Sequence, residues 1–200
     1  MQRIDVLRTF ARHRGDSPTV TGPSFGGRVL YGVDHRKATL YNMELSYPSS
    51  VCLGLALSLP TEHVYAIEGD GSMLAGMSTL ATIARYSPPN LTILVMNNRS
   101  YASTGSVPTA TGAGKVDLVT AAKGFGIEHA VAVENDAELD ENLTIAKTCG
   151  KPSFIVVQLA PEDVRTSSKS PALPFDIVEA TLGFRRDLEE RGLVPTIWAV

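Results

Sequence analysis

HVYAIEGDGSMLAGMSTLATIARYSPPNLTILVMNN, residues 63–98, is the stretch that decides the fold of this chain. Two short apolar runs, residues 63–67 and 91–96, are bounded by turn residues and have the length of buried strands. Between them, residues 72–85 carry a pattern typical of a helix. A strand, a helix and a second strand in this order predict two parallel strands in one sheet.

The rest of the chain continues this alternation. Further helices are predicted near residues 4–11, 25–31, 48–59, 117–125, 136–146 and 177–191, and further strands near residues 18–21, 38–41, 130–133 and 153–159. Pro60 is predicted to end the helix at residues 48–59, and Asn135 is predicted to cap the helix at residues 136–146. Strands separated by helices predict an α/β fold, with a doubly wound, mainly parallel sheet and helices on both faces. We interpret residues 1–160 as one domain. Residues 161–200 are interpreted as a loop (161–175) and a helix, which belong to that domain or form an interface tail.

Composition narrows the classes of function. The chain has 200 residues, 44% of them hydrophobic, which allows one domain with a sizeable core. A net charge of −3 and a pI near 5.8 argue against a nucleic-acid-binding protein. No apolar run has the length of a membrane span or the character of a signal peptide, so no membrane association is expected. Cys52 and Cys149 indicate neither a disulfide framework nor a metal cluster, and we expect both to be buried in a cytoplasmic protein.

Oxygen-bearing side chains stand where both apolar runs end. Gly69-Asp70-Gly71 follows the first run, and Asn97-Asn98 ends the second after an interval of 25 residues. A carboxylate and an amide oxygen suit Mg²⁺, and the glycines allow a tight turn and close approach of the backbone to phosphate. Ser72 is predicted to open the following helix, where unpaired N–H groups favour an anion. Because ligands of open parallel sheets bind at the carboxyl ends of strands, this block predicts a cation carrying a diphosphate, and any nucleotide-like ligand fits the same position.

The block resembles the cofactor motif of thiamine-diphosphate-dependent enzymes. The stretches LYNMELSYPSSVCLGLAL, GDGSM and NNRSYASTGSVPT look most like the cofactor-binding subunit of sulfopyruvate decarboxylase and the C-terminal domain of phosphonopyruvate decarboxylase, over residues 19 to about 159. The resemblance implies a thiamine-diphosphate-binding fold that holds thiamine diphosphate and Mg²⁺. The implied metal ligands are Asp70, the side chain of Asn98 and the carbonyl of Ser100. The implied cofactor contacts also include Gly69, Gly71, Ser72, Met73 and Tyr101.

Met43-Glu44-Leu45-Ser46 aligns with the segment of the family that binds the aminopyrimidine ring. The resemblance implies that Leu45 is the apolar wedge that bends the cofactor, and that the backbone of Met43 and Leu45 bonds to the ring. Related chains commonly carry small residues, often glycine, where Met43, Glu44 and Ser46 stand. Without the resemblance, Met43 and Leu45 are interpreted as core residues.

One expected group is missing from the motif. In this family a glutamate bonds to the pyrimidine N1′, and it belongs to a separate pyrimidine-binding domain for which a chain of 200 residues has no room. Glu44 and Glu68 lie near the motifs without matching that position, and Glu68 is interpreted as a charge at a strand end. The resemblance therefore implies that a partner chain supplies the activating glutamate.

The resulting hypothesis is the cofactor subunit of a heteromeric, Mg²⁺-dependent 2-oxo acid decarboxylase, which acts on a small 2-oxo acid together with a pyrimidine-binding, alpha-type subunit. Two alternatives stay open. One is the cofactor subunit of an oxidative 2-oxo acid enzyme, which would form an acyl product instead of a free aldehyde. The other is a subunit that binds thiamine diphosphate but has lost catalysis.

Overall fold

A six-stranded, entirely parallel sheet forms the centre of the molecule. A computed structural model describes residues 1–23, 25–161 and 172–196. The strands of this sheet are β1 (Thr19–Thr21), β2 (Thr39–Leu40), β3 (Val64–Gly69), β4 (Leu91–Asn97), β7 (His129–Val133) and β8 (Ser153–Gln158). Their order in the sheet is β2-β1-β3-β4-β8-β7. A short antiparallel hairpin, β5 (Ser100–Tyr101) and β6 (Val107–Pro108), flanks a 3₁₀ turn at Ala102–Thr104.

Helices cover both faces of the sheet. They are α1 (Arg3–Arg14), α2 (Phe25–Asp34), α3 (Pro48–Ser58), α4 (Asp70–Ala75), α5 (Thr79–Tyr86), α6 (Leu118–Gly124), α7 (Asp136–Thr148) and α8 (Ile177–Glu190). Along β3 the side chains alternate, because successive residues of a strand point to opposite faces. Val64 and Ala66 join a core with α3, α5, α6 and α8, whereas Tyr65 and Ile67 join a core with α1, α2 and α7. The predicted doubly wound α/β fold is confirmed.

The prediction of one continuous helix over residues 72–85 is wrong. The chain forms α4 and α5 with a break at residues 76–78, and α4 begins at Asp70 instead of at Ser72. Gly76 lies against the backbone of Ser46, and a Cβ on Gly76 would be only 2.7 Å from the Ser46 carbonyl oxygen. This close approach holds Gly76 against another segment, and α5 begins three residues later in a new turn.

Other local predictions agree more closely. Asn135 caps α7 by accepting a hydrogen bond from the backbone N–H of Glu138 at 3.0 Å, as predicted. The helical turn expected at residues 25–31 extends to Asp34. Cys52 is buried as predicted, whereas Cys149 is only half-buried, at the end of α7.

The C-terminal segment returns to the sheet. Ala180, Phe184 and Leu188 of α8 lie in the core on the α3 face, and Asp176 closes a capping box with Glu179 at the start of this helix. Most of the loop expected over residues 161–175 lies outside the described residues. None of the described helices is long and apolar enough to cross a membrane.

Candidate functional site

The candidate site lies where the winding of the sheet reverses. From β1 the chain crosses to β2 on one side, and it then returns through α3 to β3 on the other side of β1. Such a reversal opens a crevice at the carboxyl ends of the strands, where open α/β sheets bind ligands. A cleft lined by Gly22, Leu45, Asp70, Asn98 and Tyr101, among other residues, lies at this position.

Three oxygen-bearing groups converge at one point of this cleft. One terminal atom of the Asn98 amide lies 2.9 Å from the carbonyl oxygen of Ser100 and 3.0 Å from Oδ1 of Asp70. With nitrogen in that position, the amide donates to both oxygens. With oxygen there, after a half-turn of the amide, three oxygens face one another, an arrangement that a bound cation would stabilise.

The left-handed backbone of Arg99, with φ of 62°, is what turns the chain between Asn98 and Ser100. The three predicted metal-ligating groups are therefore together. The described residues contain no cluster of three His, Cys, Asp or Glu side chains that could hold a metal ion. A cation here would depend on one carboxylate and neutral oxygens, a donor set that fits a hard ion such as Mg²⁺.

The second oxygen of Asp70 is held from the opposite side. Oδ2 of this buried carboxylate lies 2.6 Å from the hydroxyls of both Thr109 and Thr111. The Thr111 hydroxyl also lies 3.1 Å from Oδ1 of Asn97, whose amide nitrogen donates to Gln158 on β8. Sequence reasoning missed both threonines, because nothing local connects the loop after β6 with the end of β3.

The predicted diphosphate contacts lie at the start of α4. Gly71 lies under the ring of Tyr101, and a Cβ on Gly71 would overlap that ring, so a residue with a side chain does not fit here. At Gly69 an added Cβ would meet no atom within 4 Å. Met73 is fully buried in the core on the α3 face, which leaves its backbone as the part that can face a ligand.

The predicted ring-binding segment forms a projecting turn. Asn42 and Ser46, on either side of residues 43–45, have left-handed φ values of 58° and 75°. Leu45 is 43% exposed and lines the cleft, the position that a wedge requires. Met43 differs, because its side chain is packed against the core and its backbone N–H donates to the carbonyl of Thr21 at 2.9 Å.

Glu68 stands at the end of β3, as interpreted, and it is buried there. Its side chain is 1% exposed, and Oε1 accepts hydrogen bonds from the backbone N–H of Ser49 at 3.0 Å and from the Ser49 hydroxyl at 2.7 Å. Oε2 accepts a short hydrogen bond from the hydroxyl of Ser72, which in turn accepts the backbone N–H of Ser46 at 3.0 Å. Burial raises the pKa of Glu68, against the opposing effect of these hydrogen bonds.

A further wall of the cleft was absent from the predicted site. It consists of the turn between β1 and α2 and of the start of α1, and its residues are Arg3, Gly22, Pro23, Phe25 and Gly26. The Arg3 guanidinium is mostly buried, with Nη1 3.7 Å from the sulfur of Met96. The signal available in the sequence was the glycine-rich turn between a strand and a helix, a frequent place for anion binding.

Known proteins share this arrangement of the chain. The family described as thiamine pyrophosphate enzyme, C-terminal TPP binding domain, matches residues 35–157. Sulfopyruvate decarboxylase of Methanosarcina acetivorans is 32% identical over 190 residues, which cover 94% of this chain and 48% of that protein. The β subunit of sulfopyruvate decarboxylase of Methanococcus maripaludis is 29% identical over 164 residues, which cover 82% of this chain and 86% of that subunit.

Solved structures extend the likeness to the fold. A thiamine diphosphate-dependent 4-hydroxybenzoylformate decarboxylase of Rhodococcus jostii RHA1 superposes with a TM-score of 0.68 at 19% identity. The superposition covers 81% of this chain and 33% of that one. At this identity the superposition shows a shared fold.

Proposed function

Because the chain belongs to the thiamine pyrophosphate enzymes and carries their C-terminal TPP-binding domain, we propose that it is the cofactor-binding subunit of a heteromeric, Mg²⁺-dependent 2-oxo acid decarboxylase. The chain spans about half the length of the Methanosarcina relative but most of the length of the Methanococcus β subunit. The Methanococcus relative is named as a β subunit, and that name supports an enzyme whose active site is completed by a second chain.

The observation that carries the proposal is the convergence of the Asp70 carboxylate, the Asn98 amide and the Ser100 carbonyl at the carboxyl ends of β3 and β4. Asp70 Oδ1, the Asn98 amide oxygen and the Ser100 carbonyl would hold Mg²⁺ from one side. The backbone of Gly69, Gly71, Ser72 and Met73, at the start of α4, would bind the diphosphate on the other side, with Tyr101 beside it. With these contacts the cofactor would lie in the cleft that Leu45 lines.

The ring end of the cofactor would lie against the turn of residues 43–45. Leu45 projects into the cleft and serves as the wedge that keeps the cofactor bent. The backbone N–H of Met43 is already used by Thr21, so its carbonyl and the backbone of Leu45 remain for the aminopyrimidine. When bound, the thiazolium ring of the cofactor acts as an electron sink during loss of CO₂.

The partner chain would be a pyrimidine-binding, alpha-type subunit that supplies the activating glutamate. The carboxylate of Glu68, which lines the cleft, already accepts hydrogen bonds from Ser49 and Ser72. That bonding supports a structural role for Glu68 and a separate source for the activating group. Two free cysteines among the described residues support a cytoplasmic location.

The substrate would be a small 2-oxo acid with a second anionic group, of the sulfopyruvate or phosphonopyruvate type. The guanidinium of Arg3 places a positive charge in the wall of the cleft, which supports an acid of this kind. The matching names of the relatives point the same way.

Replacement of the cation ligand tests the proposal directly. The full chain, with any protein that copurifies with it, is titrated with thiamine diphosphate in MgCl₂ by calorimetry. We expect Asp70→Asn to weaken cofactor binding by at least about 100-fold, because the carboxylate is the charged ligand of the cation. Asp5→Asn is the control, since Asp5 is an exposed residue of α1 that pairs with Arg8 on the surface.

Unchanged cofactor affinity in Asp70→Asn would contradict the proposed site. The same complex is then given sulfopyruvate or phosphonopyruvate, and CO₂ and the aldehyde product are measured. Release of both products in equal amounts supports decarboxylation. An acyl product that forms only with an electron acceptor indicates the oxidative enzyme, and binding without turnover in the presence of a partner indicates a subunit that has lost catalysis.

A further inference from the structure

Two threonine hydroxyls surround a single oxygen of the candidate metal-binding carboxylate. The hydroxyls of Thr109 and Thr111 each lie 2.6 Å from Oδ2 of Asp70 and 2.7 Å from each other. Thr109 and Asp70 are both almost completely buried, at 2% and 1% exposure. Contacts this short at a buried carboxylate indicate charge-assisted hydrogen bonds.

The number of hydroxyl hydrogens limits how many of these contacts can be hydrogen bonds. Each hydroxyl has one hydrogen, so the two hydroxyls can donate two bonds among the short contacts that they make. The ionised carboxylate is the strongest acceptor within reach, so both hydroxyls donate to Oδ2. The backbone N–H of Gly112 donates to the Thr109 oxygen at 3.2 Å, so this oxygen accepts one hydrogen bond in addition to the one that its own hydrogen donates to Asp70. The two lone-pair positions of Oδ2 are then occupied.

The loop that carries the threonines is attached to the end of β4. The backbone N–H of Thr109 donates to the carbonyl of Arg99 at 3.2 Å, and a Cβ on Gly112 would overlap that same carbonyl. Thr111 also lies 3.1 Å from Asn97. These contacts fix both hydroxyls relative to the strand that carries Asn98.

From this geometry we propose that Thr109 and Thr111 are positioning residues that restrict Asp70 to coordination through Oδ1 alone, and that they thereby set the cation preference of the site. The inference rests on the proposed function. Mg²⁺ requires a near-ideal octahedron, to which a carboxylate contributes one oxygen. Ca²⁺ accepts both oxygens of a carboxylate and a larger number of ligands. Two hydrogen bonds to Oδ2 prevent Asp70 from coordinating a cation through both oxygens, and this favours Mg²⁺ over Ca²⁺.

The test compares the affinities for two cations. The full chain with its copurifying partner is titrated with MgCl₂ and with CaCl₂ in saturating thiamine diphosphate, and both dissociation constants are measured by calorimetry. Thr109→Val and Thr111→Val remove one hydroxyl each at nearly constant volume. We expect each substitution to strengthen the binding of Ca²⁺ relative to that of Mg²⁺ by about 10-fold, in the range seen for groups that orient metal ligands.

Serine variants and a distant valine variant distinguish positioning from a general structural effect. Thr109→Ser and Thr111→Ser retain the hydroxyl and should keep the wild-type ratio. Thr144→Val, on α7, removes a hydroxyl that donates to the carbonyl of Asp140 and should also keep it. Thr111 is less buried than Thr109, so Thr111→Val provides the reading if Thr109→Val fails to fold.

The outcomes separate this inference from the proposed function. If Asp70→Asn abolishes cofactor binding while both valine variants weaken Mg²⁺ and Ca²⁺ equally or not at all, the positioning role is overturned and the cofactor site stands. If the wild-type complex does not bind thiamine diphosphate in the presence of Mg²⁺ or of Ca²⁺, the proposed function fails, and the positioning role fails with it. A ratio that changes in the valine variants and is restored by serine supports both.

Discussion

Ser46 occupies a backbone conformation that is energetically unfavourable for any residue with a side chain. Its φ of 75° lies in the left-handed region, which glycine adopts without penalty and other residues adopt at about 1–2 kcal/mol. The same residue donates its N–H to Ser72 and lies against Gly76. Glycine would adopt this backbone shape without the cost, and this chain forms it with serine.

Ser46→Gly should stabilise the protein by about 0.5–1 kcal/mol, because relief of the left-handed strain exceeds the added entropy of the unfolded chain. Urea unfolding followed by circular dichroism measures the difference. Ser50→Gly is the matched control, since Ser50 lies within α3 and glycine there should destabilise by about 0.5 kcal/mol. Equal losses of stability in both variants would show that the turn at Ser46 is not strained.

Among the elements, a chain of hydrogen bonds connects three parts of the candidate site. Ser46 in the ring-binding turn donates to Ser72 of α4, and Ser72 donates to Glu68 at the end of β3. Glu68 in turn accepts the N–H of Ser49 in the first turn of α3. The turn that holds Leu45 is therefore attached to the helix expected to bind the diphosphate, so these two parts of the candidate site keep a common geometry.

Ser72→Ala should lower the free energy of unfolding by about 2–3 kcal/mol, because it leaves the Ser46 N–H and one Glu68 oxygen without this partner. Ser49→Ala should cost only about 1 kcal/mol, since the Ser49 N–H still bonds to Glu68. Hydrogen exchange of peptides that contain residues 43–47 provides the decisive measurement. Exchange should accelerate in Ser72→Ala and stay unchanged in Ser49→Ala; equal rates in both would contradict the connection.

For the molecule as a whole, the burial of His63 makes the free energy of unfolding depend on pH. His63 precedes β3, with its ring 4.7 Å from that of Tyr65 and Nε2 2.8 Å from the hydroxyl of Thr92. Burial, and to a lesser extent Lys147, lowers the pKa of His63 from 6.5 to about 4. Below pH 6.5 the unfolded chain binds a proton that the folded chain does not bind until about pH 4, so acid favours unfolding.

The His63 contribution to stability should fall by about 2 kcal/mol between pH 7 and pH 5. Glu68 acts in the opposite direction, because its pKa is raised in the folded state. The comparison is therefore between wild type and His63→Gln, a variant that retains a hydrogen-bonding side chain. Chemical unfolding at both pH values gives the free energy of unfolding of each protein. The advantage of wild type over the variant at pH 7 should become smaller at pH 5, or the variant should become the more stable protein there. A difference independent of pH would refute this role of His63.

Local patterns in the sequence predicted the larger part of the fold. Apolar runs of strand length, the Asn135 cap and the end of α3 before Pro60 depend on neighbours in the chain, and the structure contains them. The break after α4 was missed, because the close approach of Gly76 to the Ser46 backbone involves another segment. The same limitation affected Glu68, which is charged in any local interpretation but is buried by α3 and α4.

By itself, the sequence determined the alternating fold and brought Asp70 and Asn98 to the ends of neighbouring strands, because periodicity and turn residues act over a few positions. Only the tertiary structure decided how Asp70 is held. Thr109 is separated from it by 39 residues and Thr111 by 41, and both donate to one carboxylate oxygen. Hydrogen bonds between distant segments depend on how the loops fold over the sheet, and no local pattern records that path.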